Sequence, residues 1–567
     1  MELCINGLKI TPKPGQTLLE LLRILELDRE NLSEKPIAAK IAGEVFNLNY
    51  IPLRQKDTTP ERTSIRRAMA ASKGNVHLLT CSEPSGRDVY GRTVQFVLAL
   101  AMRQLWPDVR AKMNCTVGPA IFVQVSNPQD FSLQLLKQKI AELICQNIPL
   151  IRRRITTQEA KDYFLESGQK DKARLLSWRE KTYFDVYTYE GFAAYYYGEL
   201  APSTGYMQVW DIIPADGGFL LLYPDDNNPN IVASYQTLPK LFSVSRECEH
   251  WRGLMECETI ADLNDLVQNG KIRELIRVNE ALHEKRFSQI ADKVCTQNAK
   301  VVMLAGPSSS GKTTSANRLA TQLRVHGKKP ILLSLDDYYM DRDKIPVEPD
   351  GTQDLEHINT IDTDLFRKQI GELLSGGEIQ IPSFNFLTGK REWNGHFLQL
   401  SEDSVIIAEG LHALNPVLLP EIVSPELIFK LYVCPLLPLN LDDHNWIPAS
   451  YLRLLRRIVR DYETRGASVQ KTISMWDSVR RGEKRWIFPF QENADQIFNS
   501  ATLYELAVLK KHIYPLLTAV EPEDSAYEQV RAIVKILNYV LEADVDDELP
   551  PTSIVREFIG GNSYYRK

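Results

Sequence analysis

The stretch KVVMLAGPSSSGKTTSANRLA, from Lys300 to Ala320, decides the fold of the C-terminal half of the chain. Its apolar run, Val301–Ala305, predicts a buried strand. Glycine and serine residues end the run, and a helical pattern of apolar residues follows Thr314. A strand, the sequence G-x-x-x-x-G-K-T and a helix, in this order, predict a loop that binds the phosphates of a nucleotide.

The residue types in this loop have direct physical roles. Glycines allow successive backbone N–H groups to face phosphate oxygens, and the following helix presents its positive end to the same anion. Lys312 can reach the outer phosphates, and the hydroxyl of Thr313 can bind Mg²⁺. The predicted ATP-binding residues are Gly306, Pro307, Ser308, Ser309, Ser310, Gly311, Lys312, Thr313 and Thr314.

The bulk composition predicts a multidomain globular protein. At 567 residues the chain is too long for one core, and its 44% hydrophobic and 25% charged residues are ordinary. No apolar run is long enough to span a bilayer, and the start MELCINGLKI lacks the pattern of a signal peptide. We therefore expect no membrane partner. The eight cysteines form no C-x-x-C pair, which fits a reducing cytoplasm.

The sequence predicts a multidomain α+β and α/β protein, with two domains in its front half. In residues 1–60, two hairpin patterns flank a helix that begins at Thr17, which predicts a ubiquitin-like β-grasp. This arrangement resembles the TGS domain of threonyl-tRNA synthetases. Residues 61–235 predict a mixed α/β domain, and their segments MRQLWP, VGPAIFVQV and RRRITTQEA resemble the editing domain of the same synthetases.

The editing resemblance implies a retained shape without the editing chemistry. The synthetase domain hydrolyses mischarged tRNA with two histidines on one helix, then a cysteine and a histidine. The corresponding positions here are Arg92, Phe96, Tyr196 and Leu200, and none of these side chains can perform that reaction. We therefore expect a structural role, since a fold does not by itself imply a function.

Three further regions complete the expected organisation. We predict a helical connection over 236–295, a phosphate-loop domain over 296–515 and a C-terminal helical extension over 516–567. The phosphate-loop domain is expected to contain five parallel strands with intervening helices and a helical lid. No catalytic residue is predicted in the C-terminal extension.

Two acids follow predicted strands of this sheet. Asp336 follows the run PILLSL, and Glu409 follows the run VIIA. Groups at the carboxyl ends of parallel strands gather around the ligand in doubly wound sheets. We predict that Asp336 accepts the proton of an acceptor hydroxyl and that Glu409 holds Mg²⁺, directly or through water.

A basic segment between 451 and 485 predicts the cations that a phosphoryl transfer needs. Arg453, Arg456, Arg457 and Arg460 recur at spacings of three or four and share one face of a helix. A solvated surface helix is the alternative. We predict a lid that neutralises the transferring group and excludes water, with Arg457 and Arg460 in catalytic roles.

The segments AGPSSSGKTT, SLDDYY, IPSFNF, IIAEG, RRIVRDYETRG and ADQIF, in this order, resemble the uridine kinase and phosphoribulokinase family. The resemblance implies transfer of the γ-phosphate of ATP to the 5′-hydroxyl of a nucleoside. It implies that Asp336 is the base and that Lys312, Thr313 and Glu409 bind phosphate and Mg²⁺. It further implies that Arg457, Arg460 and Arg465 contact phosphates.

The acceptor site departs from the family pattern. The resemblance places Glu356 and His357 near the ribose hydroxyls, but the family has Asp at the first position. Phe384 and Gly389 stand where the family has the Tyr and His that read a pyrimidine. Tyr339 is also assigned to this site. Because hydrogen-bond readers are missing, we expect a uridine- or cytidine-like nucleoside or a related small alcohol.

Two alternative functions remain open at this stage. A sugar or sugar-phosphate kinase would use the same scaffold, with Arg391 near a second substrate phosphate. An RNA- or tRNA-binding regulator with a nucleotide switch is motivated by the synthetase-like front half, although the net charge of −6 counts against it. The oligomeric state is not determined, with a homo-oligomer among the options.

Overall fold

We examined the chain in a computed structural model that describes residues 2–41, 43–51, 74–126, 131–179, 181–345, 354, 356–385, 388–418, 423–436, 439–521 and 523–565. The expected boundary between the first two domains, at residue 60, lies outside these ranges, as does Phe386 of the IPSFNF segment. Within these ranges no helix has both the length and the apolar character needed to cross a bilayer.

A five-stranded sheet with one helix forms the N-terminal part of the chain. Its elements are β1 (Leu3–Ile5), β2 (Leu8–Ile10), α1 (Leu18–Ile24), β3 (Ala38–Ile41), β4 (Glu44–Asn47) and β5 (Asn75–Leu79). The strand order is β2-β1-β5-β3-β4, and β5 pairs parallel with β1 and antiparallel with β3. The sheet therefore includes a strand beyond residue 60.

Local chemistry explains the two elements that open this sheet. The turn between β1 and β2 has Asn6 and Gly7 at φ values of 48° and 82°, which is the conformation that a tight hairpin needs. Thr17 caps α1, because its hydroxyl accepts from the backbone N–H of Glu20 and the Glu20 carboxylate accepts from the N–H of Thr17. Both features match the pattern in the sequence.

The next region contains two antiparallel sheets around a long buried helix. Its elements are α2 (Pro84–Leu105), β6 (Ala111–Val117), β7 (Ala120–Val125), α3 (Leu133–Cys145), β8 (Arg152–Thr156), α4 (Thr157–Glu166), α5 (Lys170–Leu176), β9 (Tyr183–Tyr189), β10 (Phe192–Ala194), β11 (Asp211–Ala215) and β12 (Gly218–Leu222). The sheets have the orders β11-β12-β7-β6 and β10-β9-β8. Helix α2 is buried on all sides from Thr93 to Met102 because its residues there are almost all apolar or small.

The positions that correspond to editing residues are occupied by packing side chains. Phe96 and Leu200 are fully buried, and Phe96 contacts the rings of Tyr187 and Phe192. The guanidinium of Arg92 donates to the backbone carbonyl of Glu199 at 3.1 Å. These side chains therefore have roles in the core of the region.

Helices connect this region to a parallel sheet, and further helices follow it. The elements are α6 (Pro239–Leu254), α7 (Ile260–Gln268), α8 (Ile272–Thr296), β13 (Val301–Ala305), α9 (Lys312–Val325), β14 (Lys329–Ser334), α10 (Thr363–Leu374), β15 (Glu378–Gln380), β16 (Ser383–Asn385), β17 (Lys390–Glu392), β18 (Phe397–Gln399), β19 (Ser404–Gly410), β20 (Ile428–Cys434), β21 (Asn440–Asp442), β22 (Asn445–Trp446), α11 (Ala449–Arg465), α12 (Val469–Trp486), β23 (Gln496–Asn499), α13 (Glu505–Thr518), α14 (Tyr527–Leu537) and α15 (Arg556–Ile559).

The parallel sheet confirms the predicted five parallel strands. Its order is β14-β19-β13-β20-β23, and every neighbouring pair is parallel. All residues of β13 and β19 are buried, as expected for a sheet that helices cover on both faces. Because the strands are parallel, their carboxyl ends and the side chains that follow them lie along one edge.

Helix α11, which the sequence predicts as a lid, is anchored in the core by its N-terminal turns. Arg456 is fully buried, and its Nε and Nη2 donate to the carboxylate of Glu505 at 2.5 and 2.8 Å. Leu452, Leu455 and Ile458 of α11 belong to a large apolar cluster. The helix is therefore a fixed part of the core. Arg460 and Arg465, the arginines that act on Asp336, lie toward its C-terminal end.

The buried Arg456–Glu505 ion pair generates a stability prediction. Glu505→Gln leaves the Arg456 charge buried without a compensating carboxylate, which should cost about 3–5 kcal/mol of unfolding free energy. Chemical denaturation of the full chain, followed by tryptophan fluorescence, measures the shift of the unfolding midpoint. Asp544→Asn, which removes an exposed carboxylate paired with Lys511, is the control and should leave the midpoint almost unchanged. Equal midpoints for the two variants would contradict the prediction.

Candidate active site

The phosphate loop between β13 and α9 is held in shape by close packing. Gly311 has φ +84°, and a Cβ at this position would lie 2.5 Å from Cγ2 of Ile554. A Cβ at Gly306 would lie 2.2 Å from the carbonyl oxygen of Val433. Neither position can accept a side chain, so both glycines of the motif are required by geometry.

Side chains behind the loop fix the direction of its peptide groups. Arg453 donates to the carbonyl of Ser308 at 3.1 Å, and Arg456 donates to the carbonyl of Ser309 at 3.3 Å. The hydroxyl of Ser500 donates to the carbonyl of Ser310 at 2.5 Å. In a trans peptide the carbonyl and the following N–H point in opposite directions. The N–H groups of Ser309 and Gly311 are therefore aimed away from these side chains, whereas the N–H of Ser310 donates to the carbonyl of Pro307 at 3.2 Å.

The charge of one ammonium group, that of Lys312, acts on the pKa of three carboxylates that are far apart in the sequence. Nζ of Lys312 lies 3.3 Å from the carbonyl oxygen of Pro307 and donates to it. Burial raises the pKa of Glu409 and of Glu356 to about 7 and also raises the pKa of Asp336. In each case the charge of Lys312 acts in the opposite direction and lowers the pKa. Lys312 thus acts electrostatically on Asp336, Glu356 and Glu409, the three acids predicted for the site.

Thr313 and Glu409 form the pair that could hold Mg²⁺. The hydroxyl of Thr313 donates to Oε1 of Glu409 at 3.0 Å. Among the described residues there is no group of three or more His, Cys, Asp and Glu side chains arranged as metal ligands. Mg²⁺ usually takes one or two carboxylates and completes its shell with phosphate oxygens and water. A hydroxyl and a carboxylate beside a phosphate loop fit that chemistry.

The two acids after β14 have different environments. The Oδ1 atom of Asp337 accepts from the backbone N–H of Phe384 at 3.3 Å, which ties the strand end to β16. Asp336 is acted on by Lys312 and then by Arg465 and Arg460, which lower its pKa against the effect of burial. Asp336 is therefore the acid that shares the site with the cations.

The C-terminal turns of α11 place arginines around Asp461. Ion pairs join this carboxylate to Arg457 at 3.3 Å, to Arg460 at 2.9 Å and to Arg465 at 3.5 Å. Nη1 of Arg457 also donates to the hydroxyl of Ser308 at 2.8 Å. These three arginines border the phosphate loop and Asp336, whereas Arg453 and Arg456 brace the loop from behind.

The two residues assigned to the ribose hydroxyls, Glu356 and His357, have different hydrogen-bond partners. The carboxylate of Glu356 has an oxygen, Oε2, with no hydrogen-bond partner among the described residues. Arg457 and Lys312 lower its pKa, so this carboxylate lies on the phosphate side of the site. Nδ1 of His357 accepts from the N–H of Asn359 at 2.9 Å, and its ring centroid lies 4.1 Å from that of Trp486.

Two aromatic side chains form one wall of the acceptor side. The ring centroids of Tyr339 and Phe384 lie 5.5 Å apart, and Phe384 is buried. Burial raises the pKa of the Tyr339 hydroxyl well above its ordinary value, and the charges of Asp336 and Glu356 raise it further. Tyr339 therefore lies near both acids.

The remaining positions of the acceptor side are filled by arginines. A Cβ at Gly389 would lie 2.6 Å from Cδ of Arg342, so an arginine occupies the space beside this glycine. Arg391 donates from Nη1 to Asp362 at 2.9 Å and from Nη2 to the carbonyls of Tyr338 and Tyr339, each at 3.0 Å. The guanidinium of Arg391 thus holds the SLDDYY segment in place, and a substrate phosphate would have to displace those bonds.

Sequence reasoning missed two acids of the site. The first is Glu483, which accepts from the N–H of Ser308 at 3.1 Å and forms an ion pair with Arg453. Burial raises the pKa of Glu483, but the charges of Arg453 and Arg480 outweigh this effect and lower the pKa. Its spacing from Trp476 and Val479 continues the buried stripe of α12, which is a detectable signal. In the C-terminal extension, where the sequence predicts no catalytic residue, Glu557 accepts hydrogen bonds from the N–H and the hydroxyl of Thr314.

The sequence profile of the Phosphoribulokinase / Uridine kinase family matches residues 301–507. A uridine kinase of Ligilactobacillus salivarius (strain UCC118) is 31% identical over 198 residues, which are 35% of this chain and 83% of that protein. A uridine kinase of Staphylococcus haemolyticus (strain JCSC1435) is 27% identical over 212 residues, 37% of this chain and 92% of that protein. A uridine kinase of Vibrio atlanticus (strain LGP32) is 28% identical over 222 residues, 38% and 95% of the two chains.

The matched region contains the parallel sheet, the phosphate loop and the acids at the strand ends. It indicates a phosphotransferase that acts on a hydroxyl group. Through residues 301–507, the chain belongs to the phosphoribulokinase and uridine kinase family.

Proposed function

We propose that the protein transfers the γ-phosphate of ATP to a hydroxyl of a nucleoside or a related small alcohol. The observation that carries this proposal is the position of Lys312, which lies in the phosphate loop and acts on Asp336, Glu356 and Glu409 together. A phosphate cradle, a metal-binding carboxylate and a separate acid for the acceptor are the parts that phosphoryl transfer requires.

The donor side binds and orients ATP. The loop N–H groups and Lys312 hold the phosphates, and Thr313 with Glu409 would hold Mg²⁺. When bound, Mg²⁺ neutralises charge on the phosphate oxygens. Arg453 and Arg456 bind the carbonyls of Ser308 and Ser309 and so keep these two carbonyls turned away from this side.

The acceptor side provides a base and a set of cations. Asp336 accepts the proton of the attacking hydroxyl, and burial raises its pKa in the direction that favours proton uptake. Arg457, Arg460 and Arg465 stabilise the negative charge that develops on the transferring group. Glu356, with one carboxylate oxygen unpartnered, is positioned to accept hydroxyl hydrogen bonds from the acceptor.

The acceptor class follows from the walls of the site. Tyr339 and Phe384 provide a surface on which a base could stack, and relatives of this chain are named uridine kinases. Phe384 has no hydroxyl with which to read a base, and Arg342 fills the space beside Gly389. A uridine- or cytidine-like nucleoside is our first candidate, and a sugar or other small alcohol is the second.

We also propose identities for the parts outside the matched region. The sheet order β2-β1-β5-β3-β4 with one helix supports a TGS-like β-grasp for residues 1–60 extended through β5. The buried Phe96 and Leu200 support an editing-like region, 61–235, without editing chemistry. The helical connection 236–295, the kinase region 296–515 and the extension 516–567 complete the proposed division. The eight cysteines are all free, which supports a reducing compartment such as the cytoplasm.

A substrate panel tests the proposed function. The full chain is incubated with ATP, Mg²⁺ and single nucleosides, sugars or sugar phosphates, and the phosphorylated product is identified by mass spectrometry. We expect one nucleoside class to give product and to stimulate ADP release. Product from a sugar or a sugar phosphate alone would favour the second candidate, and no stimulated ADP release from any acceptor would contradict the proposal.

Removal of the proposed base should reduce turnover. Asp336→Asn keeps the shape of the side chain but cannot accept the hydroxyl proton, so kcat should fall about a thousandfold. The Kd for MgADP, measured by calorimetry, should stay close to that of the wild type. Asp337→Asn is the matched control, because Asp337 binds the N–H of Phe384, and its effect on kcat should be much smaller. A larger effect of Asp337→Asn would reverse the two roles.

Removal of one arginine near Asp461 should reduce turnover through lost charge stabilisation. Arg460→Met is expected to lower kcat about a hundredfold, because its guanidinium faces the transferring group in the proposed mechanism. Lys471→Met removes an exposed charge from the neighbouring helix α12 and should leave kcat nearly unchanged. Equal kcat values for the Arg460 variant and the wild type would remove this residue from the mechanism.

A further inference from the structure

A C-terminal segment, from Pro551 to Ser563, lies directly against the phosphate loop. Ile554 and Phe558 are both fully buried. Ile554 faces Gly311 so closely that no side chain fits at that glycine. The guanidinium of Arg456, which braces the loop, lies 4.9 Å from the ring centroid of Phe558. The segment is therefore anchored on the loop and on the helix that supports it.

Two side chains of this segment converge on one residue of the loop. The Oε2 atom of Glu557 accepts from the backbone N–H of Thr314 at 3.2 Å and from its hydroxyl at 2.6 Å. Nδ2 of Asn562 donates to the same hydroxyl at 3.2 Å. Thr314 has no exposed surface in this arrangement. Its N–H and its hydroxyl are thus both engaged by the C-terminal segment.

The N–H of Thr314 is one of the donors that a bound phosphate would use. Helix α9 begins at Lys312, so this N–H belongs to the first turn and has no partner within the helix. Such groups bind phosphate where a G-x-x-x-x-G-K-T loop enters its helix. The carboxylate of Glu557 carries the same sign of charge as a phosphate and satisfies the same donor.

The charge of Glu557 also reaches the proposed metal site. It is among the groups that raise the pKa of Glu409, the carboxylate that binds the hydroxyl of Thr313. Thr313 and Thr314 are neighbours in the chain, so a phosphate seated in the loop would approach both carboxylates. Without a rearrangement of Glu557, two anions would compete for one N–H group.

We propose that Glu557 competes with the phosphates of the nucleotide for the N–H of Thr314, so that this carboxylate sets the affinity for the donor. The inference rests on the proposed binding of ATP. The buried Ile554 and Phe558 keep the segment in place while the Glu557 side chain turns out. Gly560 and Gly561, at φ values of 88° and 75°, follow it and allow the Asn562 loop to shift.

A simpler role for Glu557 makes a different prediction. An acid near the start of a helix stabilises that helix through its dipole. If this were its whole effect, loss of the charge would lower the melting temperature and leave nucleotide affinity unchanged or weaker. Competition instead predicts tighter nucleotide binding when the charge is lost.

Calorimetric titration of the full chain with ADP tests the competition. Glu557→Gln should lower the Kd for ADP about tenfold, the effect of one charge-assisted hydrogen bond that no longer opposes the ligand. In the kinase assay its KM for ATP should fall in parallel, with kcat unchanged. Asp544→Asn, which removes an equal charge from the same end of the chain at an exposed site, is the matched control and should bind ADP as the wild type does.

The outcomes separate this inference from the proposed function. If the wild type binds ADP and Glu557→Gln has an unchanged or higher Kd, the competition is overturned and the ATP site stays intact. Absence of ADP binding in every form overturns the ATP site itself. Glu557→Asp is the second variant if Glu557→Gln does not fold. Its shorter side chain should loosen the contact with Thr314 and tighten ADP binding, and an unchanged Kd also overturns the inference.

Discussion

The buried ion pair between Arg456 and Glu505 is the constraint on which the phosphate loop depends. Arg456 has no exposed surface, and it binds Glu505, Ser500 and the carbonyl of Ser309 at once. A buried guanidinium is costly unless its donors are satisfied, so its surroundings cannot vary freely. Because one side chain meets both a core helix and the loop, the position of the loop is set by the packing of the whole C-terminal half.

Opposite charges lie along one edge of the parallel sheet. The charge of Lys312 lowers the pKa of acids whose pKa values burial raises, and Asp461 forms ion pairs with three arginines. Such displaced pKa values are typical of catalytic sites.

The sequence predicted those parts of the fold whose signal is local. The strand, loop and helix around Gly311, the five parallel strands and the acids at strand ends are all determined by short patterns, and the structure confirms the strands. The burial of Arg456 and the contact between Glu557 and Thr314 join residues far apart in the chain. No periodicity or motif reports such pairs, because their partners are selected by tertiary packing.

His357 shows a second limit of prediction from the sequence. Its position in the sequence placed it beside the acceptor, but the side chain caps a short turn and contacts Trp486. A side chain with two ring nitrogens can satisfy local backbone groups as readily as a ligand. Glu483 is a residue that the sequence could have identified, because it is a single acid on the apolar stripe of helix α12. Its role becomes clear only in the structure, where it pairs with Arg453 of α11.

Helix α8 has a consequence for how small the enzyme can be. Phe287, Ile290 and Val294 of α8 belong to the apolar cluster that covers one face of the parallel sheet, together with Val302 and Leu304 of β13. A fragment cut at the start of the family match, residue 301, would expose that face to water. A fragment that begins at the first residue of the family match is thus not expected to fold on its own. A fragment of the kinase region should include the preceding helix α8 if it is to stay monodisperse.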